Sequence, residues 1–333
     1  MQRIAGKSVQ QQPVLPTARV IPLTDFDQLS PLFSNWQGRF EQLSSGRFEG
    51  MLRVVQGRTV RVLAIAGNQR VMLRGREAAK LFSVYPVIAE NATSVWQGRR
   101  LRPGQLVVHG INADTNHTSA RQTKDYGMSL RPEALQVAIR ALLNSDDATL
   151  PPTWAALSPA PDAFDSLNRQ LTRLLSMGVA DPTLLESPEG HRLEQECVRS
   201  LVAALFSTAV PKQRLSLPGR TRLVRLAEEL MRARIADPFG AVDLCRELSV
   251  SERTLRLAFR ERYGLGPMAY YKCLRLNAVR SRLKSNALIA VATAAHENGF
   301  HHLGNFAADY RRLFGERPSE TRIHDFLCSP VSV

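Results

Sequence analysis

Arginines at helical spacing are the residues of this chain with the clearest chemistry. Arg253, Arg256 and Arg260 repeat at intervals of three and four, which places them on one face of an α-helix. An arginine side chain can donate two hydrogen bonds to O6 and N7 of guanine, or it can bind a phosphate group. We therefore interpret Arg253 and Arg256 as base-reading residues and Arg260 as a phosphate contact. A charged face that only solvates a surface helix is the alternative.

The neighbouring residues complete a helix suited to reading DNA. Ser251 is a suitable N-cap, because its hydroxyl can accept a hydrogen bond from a free amide of the first turn. Leu257 falls on the arginine face, where it can contact a thymine methyl group. The opposite face is apolar and is expected to pack in a core; it carries Leu255, Ala258, Phe259 and Tyr263.

A second stretch about 50 residues further on has different chemistry. If Phe306 and Tyr310 pack in a core, the outer face offers small or short polar residues. Such residues permit close backbone approach, methyl contacts and phosphate contacts, but few two-pronged base contacts. We expect the first stretch to supply most of the sequence discrimination and the second to supply affinity and shape readout. The predicted contacts of the second stretch are His301, His302, Asn305, Ala308, Arg311 and Arg312.

Both stretches belong to a helix-turn-helix pattern that occurs twice between about residues 241 and 321. An apolar helix between the two copies is expected to hold them near one DNA turn apart, about 34 Å. Its charged residues, Lys272, Arg275, Arg280, Arg282 and Lys284, are either phosphate contacts or solvated charges. Cys245, Ser249 and Val250 recur as Ala295, Gly299 and Phe300, and Leu255, Phe259, Tyr263, Gly264 and Pro267 recur as Phe306, Tyr310, Phe314, Gly315 and Pro318.

Composition agrees with a polyanionic partner. The 333 residues carry a formal net charge of +14 and are 44% hydrophobic, as expected of a globular protein with an adequate core. Residues 219–333 contain 19 Lys and Arg against 12 Asp and Glu, so the basic excess is denser there. Nucleic acid and an anionic membrane surface both fit this charge. The sequence shows neither a long apolar run nor a signal peptide, and we expect a cytoplasmic protein without a membrane partner.

A second arginine cluster lies in the amino-terminal half. Arg70 and Arg74 fall on the same side of a predicted strand, and Arg76 follows. Guanidinium groups close together favour an anionic ligand such as a phosphate or carboxylate. The Arg70-x-x-x-Arg74 spacing also resembles the arginine motif of PilZ-type cyclic di-GMP receptors, which makes a cyclic dinucleotide one option. A solvated sheet face is the alternative.

We find no catalytic or metal centre in the sequence. His109 and His117 lack a carboxylate at helical or strand spacing, so we interpret them as surface or barrel-rim residues rather than metal ligands. The four cysteines form no C-x-x-C pair. P-loop, nucleophile-elbow, His-Glu-x-x-His and zinc-deaminase signatures are also missing, and we expect neither an enzyme nor a bound cofactor.

The sequence predicts an α+β protein in three parts. Residues 1–145 form a sheet-rich sensor domain of about eight short strands, with a short helix near residues 26–39. Residues 146–210 form a proline-containing linker and two amphipathic helices, whose apolar stripes pack either within the chain or in a dimer. Residues 219–333 form an all-helical domain with two helix-turn-helix units joined by a linker helix.

The segments VSERTLRLAFRERYGLGPMAYY and ENGFHHLGNFAADYRRLFGERPSET resemble the DNA-binding domain of the AraC/XylS family of bacterial transcription regulators. The resemblance covers about residues 219–323. It implies an amino-terminal domain of cupin-like barrel type that senses a small molecule or mediates dimerisation. Leu257, Gly304 and Ala308 depart from the longer polar residues that the family often has at these positions.

The leading hypothesis is a sequence-specific DNA-binding transcription regulator controlled by a small molecule or by self-association. Its expected partners are double-stranded DNA, a second copy of the chain, a small-molecule effector and, for an activator, RNA polymerase. A cupin-type metalloenzyme and a non-specific architectural DNA-binding protein are the alternatives. Competition between operator and random duplex separates the last from a specific regulator.

Overall fold

The structure, a computed structural model, describes residues 16–32, 36–77, 81–91, 93–110, 114–144, 154–207 and 219–321. Within these ranges, strands dominate the first half of the chain and helices the second half. The predicted α+β class and the two helix-turn-helix units are confirmed.

In the described residues, twelve strands form two antiparallel sheets. The seven-stranded sheet has the order β1-β3-β4-β11-β6-β9-β12, and the five-stranded sheet has the order β2-β5-β10-β7-β8. Both sheets use β-branched and aromatic residues, as expected for strands. Their bounds are β1 Thr17–Leu23, β2 Trp36–Gln42, β3 Gly50–Gln56, β4 Val60–Gly67, β5 Val71–Glu77, β6 Phe82–Pro86, β7 Val95–Trp96, β8 Arg99–Arg100, β9 Leu106–His109, β10 Asp114–Thr118, β11 Thr123–Leu130 and β12 Trp154–Leu157.

Three helices cover the outer face of the seven-stranded sheet. They are α1 (Pro132–Leu143), α2 (Pro161–Ala180) and α3 (Pro188–Phe206), each with proline in its first turn. Alternation along β4 sends Val60 and Val62 into the core with these helices, whereas Ile65 packs in the core on the other face. The apolar stripes of α2 and α3 are therefore covered within one chain by the sheet.

Three elements differ from the sequence expectation. The helix expected near residues 26–39 is a 3₁₀ helix, Phe26–Leu32, followed by strand β2, because Trp36–Gln42 pairs with β5. The segment before that helix contains strand β1, which was not predicted and which pairs with β3. The proline-rich linker contains β12, which pairs with β9. In each case hydrogen bonding to a distant strand outweighs a weak local pattern.

The carboxy-terminal domain consists of short helices, as the apolar spacing predicts. Equivalent positions of the two units have the same geometry. Gly264 and Gly315 each end a twelve-residue helix with φ +71°, and Ser249 and Gly299 are both left-handed. The described helices are α4 Gly219–Ala233, α5 Ala241–Leu248, α6 Glu252–Tyr263, α7 Pro267–Ser285, α8 Val291–Glu297 and α9 Leu303–Phe314, with a 3₁₀ turn at Pro318–Glu320.

The hydrophobic cores of the carboxy-terminal domain continue into the amino-terminal domain. The core of the second unit, with Phe306 and Phe314, includes Phe26 and Phe48 from the sheet region. The core of the first unit includes Leu43 and Met72. The sheet domain thus packs directly against both helix-turn-helix units.

Candidate nucleic-acid interface

Helix α6 presents an exposed arginine face. Arg253, Arg256 and Arg260 are all exposed, and the structure shows no ion-pair partner for them among the described residues. Leu257 is 40% exposed on the same helix. Its opposite face is buried, with Leu255 and Phe259 inaccessible to solvent. The side chains predicted to read bases are therefore together on one open surface.

The start of α6 is fixed by the predicted cap. The Ser251 hydroxyl accepts a hydrogen bond from the backbone N–H of Thr254 at 3.2 Å. This bond satisfies one of the free amides of the first turn. Ser251 itself is exposed, so its backbone N–H and hydroxyl lie at the edge of the arginine face.

Helix α9 presents the second predicted surface. His301, His302, Asn305 and Ala308 are exposed, as are Gly304 and Ala307 between them. His302 occupies the N-cap position without a side-chain hydrogen bond, in contrast to the serine at the same position of α6. Arg311 and Arg312 are exposed near the other end, and Arg312 forms an ion pair with Asp309 at 3.0 Å.

The charged residues of the connecting helix have roles that the sequence did not indicate. Each of the five side chains has a partner within the chain, and Arg280 and Lys284 are largely buried, whereas Lys272 and Arg282 remain exposed beside theirs. Arg275, for example, donates to the carbonyls of Asn298 and Gly299, which end α8. The other partners are Asp309 for Lys272, Glu297 for Arg282, and Asp25 and Asp27 for Arg280 and Lys284.

The sheet domain contacts both reading helices at their carboxyl ends. The guanidinium of Arg70 donates to the Tyr263 carbonyl of α6 at 2.8 Å. The backbone N–H of Gly46 donates to the Arg312 and Leu313 carbonyls of α9, at 3.1 Å each. Carbonyls at a helix end have no partner within the helix, and the sheet domain supplies one in both units. The two contacts fix where each helix ends relative to the sheet.

A buried ion cluster anchors the second unit. Arg280 of α7 is 5% exposed, and its Nη2 lies 2.7 Å from Oδ2 of Asp25, which is 1% exposed. Asp27 and Lys284 complete the cluster, with their charged atoms 2.7 Å apart. Burial alone would raise the pKa of the Asp25 carboxyl, but Arg280 and Lys284 lower it to about 2.

A polar network joins the sheet to the first unit. Glu228 of α4, which is 1% exposed, pairs with Arg74 of β5 at 2.9 Å and accepts a hydrogen bond from the Tyr270 hydroxyl of α7. Glu41 of β2 pairs with Arg232 of α4 at 2.9 Å. The network connects strands β2 and β5 with α4 and the connecting helix through charge-assisted hydrogen bonds.

The three arginines predicted to bind a ligand separate in the structure. Arg74 and Arg76 line a cleft between the five-stranded sheet and α4, where Arg76 pairs with Asp114 at 2.9 Å. Arg70 does not line this cleft; it contacts α6 instead. Arg70 and Arg74 therefore form contacts between the domains: Arg70 binds the end of α6, and Arg74 pairs with Glu228 of α4.

Two arginines of this cleft were not predicted. Arg225 comes from α4 and Arg262 from α6. Arg262 is buried at three residues after Phe259 and seven after Leu255, on the apolar face of its helix. An arginine on the apolar face of a helix is a signal that the sequence offers, because a buried guanidinium needs a polar partner and therefore indicates a polar site next to the core.

His109 and His117 lie between the two sheets rather than at a rim or on the surface. His117 stacks on Trp96 with ring centroids 4.0 Å apart, and His109 contacts the same ring edge-on. Burial lowers the pKa of His109 to about 4, and the charge of His117 adds to this effect. No cluster of three or more potential metal ligands occurs in the part of the chain that the structure describes.

Two helix-turn-helix units with open reading faces define a DNA-binding protein, and the comparisons with known proteins agree. The family model "Helix-turn-helix domain" matches residues 244–323. None of the described helices is long and apolar enough to cross a membrane.

The chain is similar to several regulators. It is 33% identical over 115 residues to the XylDLEGF operon transcriptional activator 2 of Pseudomonas putida, covering 33% of this chain and 70% of that protein. It is 28% identical to the "Probable thc operon regulatory protein" of Rhodococcus erythropolis, covering 54% of this chain and 66% of the relative. A crystal structure of a probable AraC family transcriptional regulator from Rhodopseudomonas palustris is 39% identical, with 30% of this chain and 94% of that chain covered and a TM-score of 0.28.

The chain belongs to the AraC/XylS family of DNA-binding transcription regulators. The resemblance that the repeated motif implied is thereby confirmed. The relatives are regulators and not enzymes.

Proposed function

We propose that the protein recognises a specific operator through α6 and α9 and that a small molecule bound by its amino-terminal part controls this binding. The unpaired arginine face of α6 carries the first part of the proposal. Intramolecular ion pairs hold most charged side chains nearby, but Arg253, Arg256 and Arg260 face solvent and have no ion-pair partner in the described part of the chain. Such a row of guanidinium groups suits guanine edges and phosphates of a duplex.

The division of labour between the two units follows from their exposed residues. The α6 face offers long side chains that reach base edges, whereas the α9 face offers Gly304, Asn305, Ala307 and Ala308. We propose that α6 supplies base discrimination and that α9 supplies affinity, through His301, His302, Arg311 and Arg312, with shape readout.

Competition binding tests the proposal. The full-length protein is titrated onto the labelled regulatory region beside its own gene, with either the unlabelled region or a random duplex as competitor at fixed salt. A specific regulator is expected to prefer its operator by about 10³-fold or more. Equal competition by the random duplex contradicts the proposal and favours the architectural alternative.

Control by a small molecule is supported by how the sheet domain holds both units. Contacts at Tyr263, at Leu313 and at Arg280 connect the sheet to α6, α9 and α7. A ligand that binds one arrangement of these contacts more tightly shifts the population toward it. The expected observation is a change in operator affinity when an anionic metabolite is added; constant affinity across such ligands contradicts this part.

Self-association and transcriptional activation complete the proposal. The relatives from P. putida are named as operon activators, which supports contact with RNA polymerase in the cytoplasm.

Self-association is supported by exposed apolar side chains on α1, namely Val137, Leu142 and Leu143. The apolar stripes of α2 and α3 are buried against the sheet of the same chain and are therefore not free to form a dimer interface. Transcription in vitro from the operator tests activation. Sedimentation tests the dimer: the parent protein is expected to dimerise, and Val137→Glu, which places a charge on α1, is expected to remain a monomer.

A further inference from the structure

A cleft of about 680 Å³ lies where the sheet domain meets the first helix-turn-helix unit. Strands β5 and β10 form one wall, and α4 and α6 form the other. Residues of both domains therefore meet in one concave space, which is large enough for a small metabolite. Its charged and polar lining includes Arg74, Arg76, Asn116, Arg225, Glu228 and Arg262.

Arg262 is the most unusual residue of the cleft. It is 6% exposed, and its Nη1 has no hydrogen-bond partner among the described residues. A buried guanidinium donor without a partner is costly, and such a group calls for an acceptor. The turn at Gly98 packs closely beside this atom, since a Cβ on Gly98 would lie 2.6 Å from Nη1.

A second orphaned atom lies in the same cleft. Oδ1 of Asn116 on β10 is buried and has no partner among the described residues. An amide oxygen accepts hydrogen bonds, so it suits a hydroxyl or N–H group of a ligand. The cleft thus presents an unused donor on α6 and an unused acceptor on the sheet.

The charge of the cleft favours an anion. Four guanidinium groups, those of Arg74, Arg76, Arg225 and Arg262, line it against the two carboxylates of Asp114 and Glu228. Arg225 has its own acidic neighbour in Glu229, 3.7 Å away and outside the lining of the cleft. With Glu229 counted, the excess is one positive charge, and Arg262 is the guanidinium for which the described residues show no ion pair. Guanidinium pairs bind the oxygens of a phosphate group in a two-pronged geometry.

We propose that this cleft is an effector site for a hydroxyl-bearing phosphomonoester. The phosphate group binds Arg262 and Arg225 from the helical domain together with Arg76 from the sheet, and a hydroxyl donates to Asn116. This site deepens the proposed function, on which its regulatory role rests. DNA is not the occupant, because the cleft lies between two domains of the chain and is lined by Arg262 from the buried side of α6, opposite the exposed arginines of that helix.

Binding in the cleft acts on the first unit and leaves the second in place. Arg262 projects from the buried side of α6, while Arg253 and Arg256 project from its exposed side, so a ligand that holds Arg262 sets the orientation of the reading face. The second unit stays anchored through Asp25 and Arg280. The ligand bridges sheet and helices and is expected to fix the relative orientation of the two units.

Calorimetric titration of the full-length protein tests the site without DNA. Inorganic phosphate and glucose 6-phosphate are the two probes, added in chloride buffer at constant ionic strength. We expect one site per chain for both, with tighter binding of glucose 6-phosphate. The variants Arg225→Gln and Arg262→Gln are each expected to weaken binding of glucose 6-phosphate about tenfold or more, because each removes one charge-assisted contact.

Two controls keep the test decisive. Arg102→Gln removes an exposed arginine outside the cleft and is expected to bind like the parent protein. Arg225 is half exposed, so its variant reports on the site even if Arg262→Gln misfolds. Undetectable binding of both probes, or equal binding by the parent and Arg225→Gln, overturns the inference.

The link to DNA is measured separately. Glucose 6-phosphate affinity is determined with and without the operator duplex, since linkage requires each ligand to change the affinity of the other by the same factor. A change of at least threefold supports regulation through the cleft, and identical affinities overturn it. Loss of operator preference in a protein that still binds the phosphate contradicts the proposed function and leaves the site intact.

Discussion

Two arginines on one turn of α6 are proposed to carry most of the recognition of the operator. Arg253 and Arg256 project into solvent from a helix whose other side is sealed in the core. Their position therefore depends on the rigidity of the helix and not on neighbouring side chains. Arg260, one turn further, is placed to contact the backbone of the same groove.

Substitution of these arginines separates base reading from phosphate binding. Arg253→Ala and Arg256→Ala are each expected to cost about 1–3 kcal/mol in discrimination, because a two-pronged contact to a guanine is lost. Arg260→Ala is expected to weaken binding to all sequences alike and to reduce the salt dependence by about one counterion. Binding titrations with operator and single-base variants at several salt concentrations measure both effects. If Asn305→Ala abolishes operator preference while Arg253→Ala and Arg256→Ala keep it, the assignment to α6 is wrong.

The buried histidines predict acid sensitivity. Burial lowers the pKa of His109 from 6.5 to about 4, so the folded state favours the neutral ring. As pH falls from 6.5 towards 4, the unfolded chain takes up the proton first, and the free energy of unfolding falls by about 3 kcal/mol. His117, whose pKa is also lowered by burial, adds to the loss over the same range. The lowered pKa of Asp25 adds to this loss of stability only when the pH falls below 3.8, the ordinary pKa of the carboxyl.

His109→Gln is the test of this pH dependence. The variant removes one titrating group, so the slope of unfolding free energy between pH 6.5 and 4 is expected to be shallower than in the parent protein. Denaturant titrations at several pH values measure the slope and are independent of any constant cost of the substitution. An unchanged slope would show that a group other than His109 determines the pH dependence of the free energy of unfolding in this range.

Among the helices, α6 and α9 are held in the same way at their carboxyl ends. Gly264 and Gly315 are equivalent positions of the repeat, and both adopt φ +71°. A Cβ at Gly264 would meet the guanidinium of Arg70, a flexible side chain, at 2.0 Å. A Cβ at Gly315 would meet the backbone nitrogen of Arg47 at 2.6 Å. The carboxyl end of α9 therefore packs against the backbone of the sheet domain, whereas the carboxyl end of α6 packs against a side chain.

The two glycines are expected to respond differently to alanine. Both substitutions incur the left-handed conformation, about 1 kcal/mol. Gly264→Ala also displaces the Arg70 guanidinium and its hydrogen bond to Tyr263, which is expected to cost about 1 kcal/mol further. Gly315→Ala displaces backbone around Arg47 and is expected to lower the stability by about 2 kcal/mol further. Chemical denaturation of the two variants compares them directly. Equal losses would mean that the contact with Arg47 does not restrain α9.

At the scale of the whole molecule, the apolar core of each helix-turn-helix unit continues into the sheet domain. Phe26 is 2% exposed and contacts Phe48 of the sheet region and Phe314 of α9, with ring centroids 6.2 Å and 6.4 Å apart. Arg280 lies over the same ring, 4.8 Å from its centroid. A domain interface with a continuous apolar core resists relative motion more than a polar one. Any control by ligand must then act through small shifts within this packed unit.

Cooperative unfolding of the two domains follows from the shared core. The three tryptophans lie in residues 36–154, so their fluorescence reports on the sheet domain, and its midpoint is expected to coincide with that of helical circular dichroism. Phe26→Ala is expected to cost about 3–5 kcal/mol and to lower both midpoints together. Leu288→Ala, at a side chain that is 96% exposed, is the control and should change neither. Two separate transitions in the parent protein would contradict a shared core.

Local patterns in the chain were sufficient for the helical domain. The spacing of Leu255, Phe259 and Tyr263, with its recurrence as Phe306, Tyr310 and Phe314, determines both units, because helical periodicity and caps depend on near neighbours in sequence. The exposed face that carries Arg253 and Arg256 follows from the same periodicity. Strands β1 and β12 were missed because their partners are distant in the chain, and strand pairing is a long-range interaction.

Contacts between the domains could be decided only by the tertiary structure. Nothing local distinguishes Arg280, which is buried with Asp25 some 255 residues away, from an arginine that faces DNA. The same holds for Arg262, whose place in the cleft depends on how the sheet packs against α6. A charge acquires its function from the partner that folding brings to it, and that partner can lie anywhere in the chain.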